Sequence, residues 1–125
     1  MDIHKHVEYW KNSSSEDWDV AMDLIERGKI RHGLFFLHLS IEKLLKGHVT
    51  CVRCEPPPRT HNLPQLLRYA QLPCEPEQLE LLATLNEFCL AGRYMDEQTV
   101  LPEASSLQLL LTQIREVRAW LLQTL

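Results

Sequence analysis

The chain lacks a basic excess: 13 Lys and Arg stand against 17 Asp and Glu, a net charge of −4 over 125 residues. A protein that grips nucleic acid mainly through phosphates shows the opposite balance, so any such contact here must be local. It also lacks an apolar run near the roughly 20 residues that a membrane-spanning helix needs. The first ten residues, MDIHKHVEYW, hold no signal-peptide core. The expectation is a soluble, cytoplasmic protein with no membrane contact. No segment qualifies as a strand and no internal repeat emerges. Hydrophobic residues at 45% and charged ones at 24% exclude a wholly disordered chain and allow one core, so residues 1–125 are expected to form a single domain.

Cysteine is sparse and poorly patterned. Cys51 and Cys54 form one CxxC, three residues after His48, while Cys74 and Cys89 stand apart. Structural zinc brings two such pairs. Redox CxxC pairs open a helix, where the dipole lowers the thiol pKa, whereas this pair closes one. Four incidental thiols and no metal is the favoured reading, with metal binding and redox chemistry as alternatives.

What the chain does have is helical spacing. In Arg31 to Cys54, Leu34, Leu37, His38, Ile41, Leu45, His48 and Val52 form one stripe at 100° per residue. Phe35 and Leu39 begin a second stripe that continues through Glu42 and Lys46. This places an i, i+4 carboxylate and ammonium beside the core, with the acid first, the favourable order. Lys43 points nearly opposite the main stripe and is expected to be solvated.

A first helix is expected from Val7 to Arg27, with Tyr9, Trp10, Trp18, Ala21, Met22 and Ile25 buried; alternatively, Ser13-Ser14-Ser15-Glu16 caps a shorter helix starting at Glu16. Gly28 suits the left-handed position after a helix, and the short Lys29-Ile30 link implies an antiparallel return. After the central helix, EPPPRTHNLP is a loop. A short helix from Pro64 to Gln71 follows, capped by Asn62 and packed through Leu63, Leu66 and Leu67. A fourth runs from Glu77 to Ala91, with Leu79, Leu82, Ala83, Asn86 and Cys89 on one side and Leu81, Leu85 and Phe88 on another. GRYMDEQTVLPEASS reads as a loop. A last helix from about Ala104 carries Leu107, Leu110, Leu111, Ile114, Val117 and Leu121, leaving Leu109 and Trp120 as an exposed patch suited to a dimer contact. The fold class is all-α, an up-and-down four-helix bundle with an additional short helix.

Several pieces in order resemble the HEPN (higher eukaryotes and prokaryotes nucleotide-binding) domain. They are Tyr9-Trp10, Glu16-Asp17 and Leu24; His38 with Ile41-Glu42-Lys43-Leu44-Leu45-Lys46; Pro57-Pro58-Arg59-Thr60-His61-Asn62-Leu63; and Arg93-Tyr94. The resemblance covers nearly the whole chain. It implies a homodimer, a minimal nucleotidyltransferase as partner in a two-component, toxin–antitoxin-like module, nucleotide or RNA as ligand, and no cofactor. Many such domains are metal-independent ribonucleases with Arg, four to six residues, then His. By resemblance the His is acid or base at the ribose 2′-hydroxyl or leaving oxygen, and the Arg stabilises the phosphate.

Arg93 matches that Arg, but Gln98, Thr99 and Val100 occupy the three His positions, and none takes a proton near neutral pH. The resemblance therefore points to a non-catalytic, nucleotide-binding or accessory domain, with Glu42, Lys46, His61, Arg93 and Tyr94 as candidate ligand-binding residues. The alternative is a ribonuclease that uses Arg93 with His61 as a displaced acid–base group. Each residue also has a structural reading. Glu42 and Lys46 brace the second helix, against Asp17 for instance. Arg93 and Tyr94 pair with Asp96 and close a helix. His38 and His48 are core histidines bonded to neighbours, and His61 ties down its loop.

Overall fold

The computed structural model describes residues 1–94 and 101–125, and the side chains of all of these except 90–94. Five helices follow one another: α1 (Ile3–Glu26), α2 (Ile30–Arg53), α3 (Leu63–Tyr69), α4 (Pro76–Tyr94) and α5 (Ala104–Gln123). No strand occurs among the described residues. The result is the helical bundle with one short extra helix that the spacing predicts.

The α1–α2 hairpin is the frame. Asp2 starts α1 by accepting from the Lys5 amide at 3.2 Å, and Gly28, at φ 82°, ends it. The Gly28 amide donates to the Ile25 carbonyl and the Lys29 amide to the Leu24 carbonyl, the pair of bonds that satisfies a helix end when the next residue turns left-handed. The chain then doubles back. Contacts pair Trp10 with Gly47, Ser14 with Ser40 and Ala21 with Gly33, so residue numbers fall on one helix as they rise on the other, the mark of an antiparallel pair.

Small residues let the two helices approach closely. A Cβ at Gly33 would lie 2.4 Å from Ile25 Cγ1 and 3.2 Å from the Ala21 carbonyl oxygen. Further along, Ser14 Oγ donates to the Ser40 carbonyl at 2.7 Å and Ser40 Oγ donates to the Ser14 carbonyl at 2.9 Å, both buried. The serine run therefore starts no helix. α1 runs straight through it, because two interior hydroxyls bridging to the next helix satisfy themselves there. Tyr9, expected inside, is 61% exposed, and Val7 takes a buried place at this end.

α2 is the hub and meets every other helix. Leu34, Leu37, Ile41, Leu44, Leu45 and Val49 are wholly buried along it, each contributing roughly 1.5–3 kcal/mol of transfer free energy. Its last turn leaves the core, so Val52, expected on the stripe, is 45% exposed. Cys54 caps the helix in a left-handed conformation. Asn62 caps α3 by accepting from the Gln65 amide, and Leu63, Leu66 and Leu67 pack it down, as the sequence predicts. All six apolar residues expected on α5 are buried; Trp120 also packs against the core, which leaves Leu109 as the exposed member of the expected patch. On α4, Leu81, Leu82, Leu85, Phe88 and Cys89 are buried, whereas Leu79 and Ala83 are exposed.

Candidate functional site

Where α2 meets the loop before α3, the Glu42 carboxylate lies buried with both oxygens engaged. Oε2 accepts from Lys46 Nζ at 3.1 Å, and Oε1 accepts from His61 Nδ1 at 2.8 Å. The i, i+4 spacing sets the first contact and the loop supplies the second. Lys46 is mostly buried, with the Trp10 ring centroid 5.8 Å away. Bracing is thus the main work of Lys46. Its partner in that task is Glu42 rather than Asp17, because Asp17 is taken by Lys43 at 2.6 Å.

Lys43 is accordingly not solvated: it also donates to Ser13 Oγ at 2.7 Å. A position opposite the main stripe still faces α1, since α2 is enclosed on several sides.

The loop that brings His61 to Glu42 is held by an amide network. Asn62 Oδ1 accepts from the Gln65 amide and from Asn86 Nδ2, each at 3.2 Å, and Asn86 Oδ1 accepts from the Leu63 amide at 3.1 Å. Two backbone N–H groups thereby fix which way both side-chain amides point. Asn86 Oδ1 also lies 3.2 Å from His38 Nε2, so that ring nitrogen must carry the proton and donate.

His38 Nδ1 is then a bare lone pair in the neutral ring, buried without a hydrogen-bond partner and 3.8 Å from Glu42 Oε1. Burial pushes the His38 pKa below the ordinary 6.5, against an upward pull from Glu42 and the bond to Asn86. The close approach of His38 and Glu42 is a contact of a neutral ring, not an ion pair. His48 Nε2 meets the Leu121 carbonyl at 2.8 Å and ties α2 to α5; burial lowers its pKa too. Both are core histidines bonded to neighbours, as expected.

His61 is half exposed. With Asn62, Asn86 and Cys89 it lines a cleft of about 240 Å³. In the neutral ring, the proton donated from Nδ1 leaves Nε2 as the basic nitrogen. A buried carboxylate behind an imidazole orients the ring, an arrangement suited to binding an anion or moving a proton.

α4 continues to Tyr94, which puts Arg93 four residues beyond Cys89 on the same helix. The side chains of Arg93 and Tyr94, and Asp96, Gln98, Thr99 and Val100, lie outside the described residues. Three candidates, Glu42, Lys46 and His61, do come together. Asn86 and His38 belong to the same network and were not singled out as its members. The usable signal was a polar residue on an otherwise apolar face of each of two helices, since buried polar groups pair with one another.

The thiols of Cys51, Cys54 and Cys74 are exposed and that of Cys89 is buried. Among the described residues no three His, Cys, Asp or Glu side chains are placed to hold a metal ion. Nor is any described helix long and apolar enough to cross a membrane.

The chain is thus a small all-helical bundle whose central helix and proline-rich loop meet at a Glu–His–Lys cluster. A family model described as HEPN domain matches residues 7–124, nearly the whole chain, and the chain belongs to that family. No curated protein and no solved structure matches it. Family membership supports a function related to nucleotide or RNA.

Proposed function

We propose that this protein is a non-catalytic HEPN domain that binds nucleotide beside His61, works as a homodimer, and is the accessory partner of a minimal nucleotidyltransferase in a two-component module. The observation that carries this reading is the buried Glu42 carboxylate holding His61 Nδ1 and Lys46 Nζ at once. It presents a half-exposed imidazole at the mouth of a cleft edged by amide donors. Glu42 is the anchor here; His61, with Arg93 and Tyr94 further along α4, makes the contacts to ligand. Lys46 adds positive charge behind them. Titrating ATP by calorimetry should give saturable heat with the wild type, heat lost in His61→Ala and weakened in Lys46→Ala. Absence of heat from the wild type contradicts the reading.

The same Glu42–His61 contact favours a second reading, a metal-independent ribonuclease. There His61 Nε2 takes the proton from the ribose 2′-hydroxyl or returns one to the leaving oxygen, and Arg93 stabilises the phosphate. General acid–base help is worth about 10²–10⁴ in rate. Robust cleavage of mixed RNA without metal, lost in both Arg93→Ala and His61→Ala, would establish this reading over the first.

A further inference from the structure

A second cleft, about 350 Å³, is lined by Arg53, Gln65, Arg68 and Tyr69. Its arginines are unusual for an acidic protein. Arg53 and Arg68 are both exposed, and among the described residues no carboxylate pairs with either of them.

Arg53 is also held still. Its guanidinium lies 4.7 Å from the Tyr69 ring centroid, and Nε donates to the Tyr69 carbonyl at 3.3 Å. A restrained guanidinium keeps its outer N–H groups for a planar anion and loses less freedom on binding one. Gln65 links this cleft to the loop of the first, since Gln65 Oε1 accepts from Thr60 Oγ1 at 3.0 Å while Thr60 Oγ1 accepts from the Asn62 amide at 3.2 Å. Along α3, Arg68 stands six residues beyond Asn62, about 9 Å of helix rise.

We infer that Arg53 and Arg68 form a second phosphate subsite, so that a single-stranded RNA engages it together with the His61 cleft, whereas a mononucleotide engages the His61 cleft alone. This rests on the nucleotide reading of the His61 cleft and extends it. One strand places a phosphate or base at His61 and a flanking phosphate between the two arginines, which gives an acidic protein a strictly local grip on a polyanion. Arg53 near the end of α2 also complements the helix dipole. A role confined to that would alter stability and leave RNA affinity unmoved.

The test compares a labelled 12-nucleotide single-stranded RNA of mixed sequence with AMP and ATP. Fluorescence anisotropy and calorimetry are applied to the wild type, His61→Ala and Arg53→Ala/Arg68→Ala, with Arg53→Gln/Arg68→Gln in reserve should the alanine pair fail to fold. The arginine pair should lose about tenfold or more in RNA affinity and flatten the salt dependence of log K by about 1, while AMP and ATP binding stay within about twofold. RNA affinity unchanged in the arginine variants, equal loss for RNA and ATP, or no RNA binding by the wild type would each overturn the inference. RNA binding that depends on the arginines but survives His61→Ala would instead retain this subsite and remove the His61 reading.

Discussion

His61 Nδ1 and Glu42 Oε1 meet at 2.8 Å although 19 residues separate them, and the contact joins the central helix to the proline-rich loop. Around it, one buried carboxylate serves two cations or donors, and a neutral histidine stands behind. The stability of the fold and the chemistry of the site therefore run through one side chain.

Replacing that carboxylate should cost more than either partner contact suggests. Glu42→Ala strands a mostly buried ammonium at Lys46 and is expected to lose about 3 kcal/mol in urea unfolding, whereas Glu42→Ala/Lys46→Met, which removes both charges, recovers part of it. Equal losses in the single and double variants would show that the pair contributes packing alone.

The close approach of α1 and α2 makes Gly33 sensitive. A methyl group there collides with Ile25 and presses on a backbone oxygen, so Gly33→Ala should destabilise by about 1–3 kcal/mol. Gly28→Ala meets no neighbour but must adopt φ 82°, which costs about 1 kcal/mol. Thermal unfolding of the two variants checks both the order and its cause.

Ser14 and Ser40 bond reciprocally across the same interface. Either single change to Ala should cost about 1 kcal/mol, and the double variant should cost less than the sum, because each hydroxyl also contacts the other at 3.0 Å. Strict additivity in a double-mutant cycle would count against the coupling.

These sites divide what was legible from what was not. The apolar stripes of α2 and α5, the Gly28 stop, the Asn62 cap and the Glu42–Lys46 pair all follow from local spacing and chain chemistry. Ser13 to Ser15 left a later helix start open as an alternative, because a capping residue and an interhelical bridge have the same composition. Lys43 misled because a helix surrounded by neighbours has no reliably wet face. The His61–Glu42 and Asn86–His38 contacts depend on how a loop is draped over two helices, and no spacing along the chain encodes that.

Buried His38 and His48 make stability depend on pH. Both rings resist protonation when folded, so below the ordinary value of 6.5 the unfolded chain takes up protons that the native state refuses. Stability is fully present above pH 6.5 and falls as pH drops from there toward the lowered values, by at most about 1.4 kcal/mol per pH unit for each ring. His38→Gln and His48→Gln should each flatten the acid limb of a plot of unfolding free energy against pH. An unchanged limb in both would place the dependence elsewhere.

The most direct test of the central claim, that Glu42 holds His61 ready for nucleotide, is a long-range nitrogen–proton correlation spectrum of the imidazoles with and without ATP. In the neutral ring His61 should carry its proton on Nδ1, and adding ATP should shift His61 Nε2 while the His38 and His48 rings stay in place. In Glu42→Gln that tautomer preference should weaken. A His61 ring unmoved by saturating ATP, or protonated on Nε2 in the wild type, would contradict the account.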